Sequence, residues 1–104
     1  MKHYRQGDVL IVSTCKIERK NKLKDGDRCI LAFGEATGHA HEIKELNKVI
    51  AYVGADGTEV SELDVKEAVD LVHQEHDAIV LEPGLYRIIH QREYSPEEIR
   101  RVAD

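Results

Sequence analysis

The chain has no tryptophan, one phenylalanine (Phe33) and one methionine (Met1). Valine, isoleucine and leucine must therefore supply most of the core. Its two cysteines, Cys15 and Cys29, read as small apolar strand residues rather than as a disulfide. No apolar stretch approaches the length of a membrane span. The polar start, Met1 to Asp8, carries no secretory hydrophobic region. The expected setting is the cytoplasm, away from a membrane, where both thiols stay reduced.

Positive charge is scarce outside the first quarter of the chain. Residues 1–28 hold eight Lys/Arg against four acids, whereas residues 29–104 hold seven against sixteen, within a net charge of −5. An acidic body of this kind argues against a protein that is mainly a nucleic-acid binder. A length of 104 residues with 34% charged and 41% hydrophobic side chains fits one soluble domain spanning 1–104. A chain of this size buries roughly two-thirds of its unfolded surface.

Short apolar runs between turn signals predict strands. They fall at 7–13, 28–33, 41–43, 49–53, 78–81 and 85–94, with the second expected to pair with the first. The 58–72 stretch suits either short strands or a few helical turns, and strands are preferred because His73 must return to the sheet. The charged stretch Lys16 to Lys24, closed by Asp25-Gly26, reads as a solvated loop. Ser95-Pro96-Glu97-Glu98 is a helix start, with a capping serine, proline at the first helical position and acids at the positive end. A short docked helix over 95–103 follows. The fold class expected is mainly β, a small single-domain β-barrel or sandwich with a C-terminal helix.

Four of the six histidines stand in two tight groups, His39-Ala40-His41 and His73-Gln74-Glu75-His76. Side chains two apart on a strand share a face, so His39 and His41 could share one cation. His73 and His76, three apart, would share a face on a helix, oppose each other on a regular strand, and could converge in a turn or bulge. Neutral imidazole suits zinc, iron, nickel or copper, and a catalytic metal wants about three protein ligands and one open position. The candidate metal ligands are thus His39, His41, His73 and His76. Glu45 and Glu75 are carboxylates that could ligate as well, or hold a ring N–H and set its tautomer. A divalent ion (Zn, Fe, Mn or Ni) is the expected cofactor.

The stretch Gly34 to Glu45 resembles the first cupin motif, with His39, His41 and Glu45 in the ligand places. Pro83-Gly84 lacks the residue that separates these two in the second cupin motif, and His90 follows too late. The resemblance implies a jelly-roll β-barrel that binds a metal through three histidines and one glutamate, with His76 or His90 as the fourth ligand. A wider resemblance joins Tyr4-Arg5-Gln6-Gly7-Asp8-Val9, Thr37-Gly38-His39-Ala40-His41, His73 with His76, Pro83-Gly84 with Tyr86-Arg87, and Gln91-Arg92-Glu93-Tyr94. Together these are similar to an uncharacterised family of small prokaryotic proteins and imply no particular chemistry.

Arg92 could hold an anionic ligand and Tyr94 could donate a proton. The plainer reading pairs Arg92 with a carboxylate and packs Tyr94 at the helix entry. The leading expectation is a small metal-binding protein, a cupin-like metalloenzyme acting on a small-molecule substrate if it is an enzyme. The alternative is a non-catalytic protein-interaction or assembly module with structural histidines. A nucleic-acid accessory role through Lys20, Lys22 and Lys24 ranks third. Exposed strand edges make a homodimer a further expectation.

Overall fold

The fold was obtained as a computed structural model, which describes residues 3–33, 38–55 and 57–90. Nine strands follow one another: β1 (His3–Gln6), β2 (Val9–Thr14), β3 (Cys29–Phe33), β4 (Ala40–Ile43), β5 (Val49–Val53), β6 (Val60–Val65), β7 (Val69–Val72), β8 (Ile79–Leu81) and β9 (Gly84–His90). A 3-10 turn, Leu46–Lys48, precedes β5. The strands form a five-stranded sheet in the order β1-β2-β9-β6-β5 and a four-stranded sheet in the order β3-β4-β7-β8. Every pairing is antiparallel.

Both sheets contribute to one buried cluster. Val9, Ile11, Leu63 and Tyr86 come from the larger sheet, and Leu31, Ile43, Leu71 and Leu81 from the smaller. Strand alternation explains the selection: Val9 and Ile11 turn inward while Leu10 and Val12, which alternate with them, are only half-buried. Tyr86 spans this core and ends on a short hydrogen bond from its hydroxyl to the Glu82 carbonyl, 2.6 Å. Burial, reinforced by Tyr4, pushes that phenol up to about 12.

The mainly-β expectation holds, with two corrections. Neither sheet closes on itself among the described residues, so the barrel reading gives way to two sheets sharing a core. The 28–33 strand does not pair with the 7–13 strand. β3 pairs with β4 in the smaller sheet, while β2 lies between β1 and β9. The connecting segment is responsible, because it is not a free loop. Ile17 is buried, Lys22 bridges to Tyr52, and the Leu23 N–H donates to the Ala51 carbonyl at 2.8 Å. This docking on β5 carries the chain away from β2 before β3 begins.

A polar start also conceals a strand. His3 and Arg5 face out while Tyr4 is half-buried and Gln6 buried, so β1 pairs with β2 through the two-residue turn Gly7-Asp8. The 58–72 stretch forms strands β6 and β7. The expected helix over 95–103, the strand end beyond His90, and Arg92 and Tyr94 lie outside the described residues. No helix among the described residues is long and apolar enough to cross a membrane.

A four-histidine cluster as the candidate functional site

Strand register brings the two histidine groups together. β4 and β7 pair with Ile43 opposite Leu71 and Glu42 opposite Val72. His41 and His73 follow these pairs just past the end of the ladder. The chain then bends through 74–76 and returns His76 to the group. Ring centroids lie 4.3 Å apart for His41 and His73, 4.7 Å for His73 and His76, 5.7 Å for His39 and His73, and 5.9 Å for His41 and His76. His39 Nδ1 stands 3.4 Å from a Glu75 carboxylate oxygen. The Ala40 N–H donates to the Gln74 side-chain oxygen at 2.9 Å, which ties the two segments together. All four metal-ligand candidates therefore meet, with Glu75 beside His39.

The hairpin tip between β1 and β2 completes the site, and sequence reading did not foresee it. Gln6 spends both amide hydrogens on the carbonyls of Leu71 and Asp77, each at 2.9 Å. Its oxygen is thereby turned to His41 Nδ1 at 2.8 Å. An amide oxygen only accepts, so His41 Nδ1 carries a proton. A carbonyl partner on one ring nitrogen is the usual way a protein presents the other to a metal. Gly7, at φ +61°, lies so close to His76 that a Cβ there would stand 2.7 Å from His76 Nε2. Asp8 places a carboxylate oxygen 3.8 Å from His41 Nε2. The signal for this was the Gly-Asp pair itself, a two-residue hairpin turn hidden by the polar composition around it.

The electrostatics favour neutral rings at His73. Burial lowers its pKa, and repulsion from His76 and His39 lowers it further, against the opposing pull of Glu75 and Asp8. The Glu75 N–H donates to His73 Nδ1 at 3.0 Å, so the neutral ring carries its proton on Nε2. Among the described residues, no three His, Cys, Asp or Glu side chains are arranged to hold a metal ion as they stand. For His73 to ligate through Nε2, its tautomer must change and the bond from Glu75 must be given up.

The remaining candidates are engaged elsewhere. Glu45 pairs with Lys48 at 2.9 Å. Glu42 is buried on a two-pronged pair with Arg28, 2.7 and 3.1 Å, and the Arg28 guanidinium holds its carboxyl below the usual range. His90 Nε2 bonds to the Leu31 carbonyl at 2.8 Å and faces Glu59 at 3.7 Å. Cys15 and Cys29 are both free thiols, and burial pushes Cys29 up to about 12. In the basic segment, Arg19 turns onto Asp64 and Tyr52 at 3.0 and 3.1 Å. Lys22 and Lys24 line two clefts, of about 370 and 360 Å³, that contain none of the histidines.

No curated protein and no solved structure matches the chain. One family model does. It runs from residue 5 to residue 91, and so takes in the hairpin tip and all four clustered histidines. The chain belongs to the DUF8820 family, a domain of unknown function.

Proposed function

We propose that the cluster of His39, His41, His73 and His76 binds a divalent transition-metal ion. The observation that carries this reading is the meeting of four imidazole rings from two remote segments, with ring centroids 4.3–5.9 Å apart around a buried His41 whose Nδ1 is held by Gln6. Imidazole donors suit Zn²⁺, Fe²⁺, Ni²⁺ or Cu²⁺. Three of the rings around one ion would leave a position for water or a small oxygen-rich substrate. A bound ion would lower the pKa of that water or polarise a substrate oxygen. A cupin-like reaction on a small molecule is the enzymatic form of this reading.

A second reading is favoured by the absence of three donors already set for an ion among the described residues. In it the histidines are structural, and the protein is a non-catalytic interaction module. Metal analysis of tag-free protein by mass spectrometry separates the two, with a His39→Ala/His41→Ala double variant measured in parallel. Near-stoichiometric metal in the wild type that disappears from a folded variant is the expected outcome. Wild type that is metal-free and takes up no added Zn²⁺, Fe²⁺, Mn²⁺ or Ni²⁺ would sink the metal reading and favour the interaction module.

A further inference from the structure

The two sheets turn their inner faces to the shared core and their outer faces away from each other, and the outer faces carry opposite charge. On the larger sheet, Leu10, Val12 and Ile89 alternate with core residues of β2 and β9 and lie half-buried on the outside. Register makes them one patch, because Leu10 stands opposite Ile89 and Val12 opposite Arg87. β1 adds Arg5 opposite Leu10. Strands β1, β2 and β9 hold no acidic residue. Glu62 and Asp64, the acids on the same side of β6, are taken up by the docked 16–24 segment and Lys66. Among the described residues, neither Arg5 nor Arg87 has an ion-pair partner. An aliphatic centre inside a charged rim is the layout of a protein interface.

The outer side of β7 and β8 is the counterpart. Val80 is 50% exposed and stands opposite Asp70, with Val72 half-buried on the same side. Residues 67–82 hold five acids and no lysine or arginine, and Asp70 and Glu82 are both exposed. Lys48 acts on Asp70 from a distance but is itself bonded to Glu45 at 2.9 Å.

We infer that the outer face of the larger sheet in one copy docks on the outer β7–β8 face of a second copy, a head-to-tail contact between unlike faces. Charge selects the occupant. Pairing either face with itself would set arginine against arginine or carboxylate against carboxylate, which is penalised. The unlike pairing brings Arg5 and Arg87 to Asp70 and Glu82 around joined aliphatic centres. A contact of this kind is heterologous, so the assembly grows into a ring or an open row instead of stopping at a two-fold dimer. It does not depend on whether the histidines hold an ion.

The test is sedimentation velocity on the full chain over a concentration series in low and high salt, beside Arg5→Glu for the cationic face and Val80→Arg for the acidic one. Both positions are exposed, and circular dichroism and melting check that each variant folds. The wild-type average mass is expected to rise above the monomer with concentration and to fall back in about 1 M salt, where charges are screened beyond about 3 Å. Each variant alone should stay monomeric, while an equimolar mixture regains association, since it restores at least one intact contact per pair. Wild type that stays monomeric up to about 1 mM, the range of the weakest contacts, would overturn the inference. So would variants that associate as the wild type does, or a mixture that stays monomeric, which would assign the contact to like faces.

Discussion

Gly7 shows how narrowly a single residue can be specified by its surroundings. Its φ of +61° lies in the left-handed region, and the space a Cβ would need is held by His76 and His41. Alanine there must both strain the turn and push an imidazole aside. Gly7→Ala is expected to cost about 1–2 kcal/mol, combining the backbone and packing terms, measured by urea denaturation. It should also displace the His76 ring resonances while leaving those of His3, at the far end of β1 from the tip, in place. An unchanged unfolding midpoint together with unmoved His76 signals would show that the tip does not press on the cluster. The neighbouring Gln6 could not be recognised from the chain alone. A glutamine in a polar octapeptide looks like solvent-facing chain, and its value arises only once β7 brings the Leu71 carbonyl within reach.

Among the elements, the segment between β2 and β3 differs most from expectation. Nine consecutive residues from Lys16 to Lys24 contain six charged side chains, a composition that reads as a solvated loop. Two carboxylates from β6 draw it onto the sheet instead. Glu62 accepts the backbone N–H groups of Glu18 and Arg19 at 3.0–3.2 Å, where Arg19 itself takes a φ of 59°. Asp64 accepts from Arg19 and is paired with Lys66, both at 3.0 Å. Burial raises the Asp64 pKa, but the bonds from Lys66 and Arg19 outweigh it and leave the carboxyl below its ordinary value. The stabilisation from this lowering is therefore complete above the ordinary carboxylate pKa and is lost as pH falls through the lower folded-state value. Asp64→Asn should cost about 1 kcal/mol at neutral pH, since both cations reach in from the surface and water screens them. Denaturation at stepped pH should show the gap between variant and wild type closing in acid. A gap that persists unchanged there would assign the cost to packing. Strand existence was legible because it depends on local alternation; the docking of this segment depends on residues some forty positions away and was not.

At the scale of the whole molecule, the four histidines were legible as candidates, but their partners were not. Their spacing within each group is local information, whereas the pairing of β4 with β7 follows from how the complete core packs. The same holds for Asp8, which reaches the cluster because β1 and β2 fold over as a hairpin. Glu45 illustrates the reverse case. It has the motif spacing of a ligand, yet the turn after β4 gives it to Lys48. An ion bound only by the native state adds about 2.7 kcal/mol of stability at a hundredfold excess over its dissociation constant. For a chain of this length that is an upward shift of roughly 10 °C or more in Tm. Zn²⁺ should thus raise the wild-type melting point and leave that of the His39→Ala/His41→Ala variant in place, read by calorimetric scanning. Equal shifts in both proteins would point to ions bound elsewhere on the acidic surface.

The cluster draws on three stretches of chain that are remote from one another: the β1–β2 tip, the entry to β4 and the exit from β7. A break in the turn between β5 and β6 would put Asp8, His39 and His41 on one fragment and His73 and His76 on the other. Neither half could present the whole set of rings. Two such fragments mixed in a test tube would rebuild it only by re-forming the β2–β9, β4–β7 and β5–β6 ladders in their native alignment, and a slip of one residue would turn His41 away from His73. The site is in this sense a gauge of correct assembly, reporting with one spectroscopic signal whether distant parts of the chain have found each other in register.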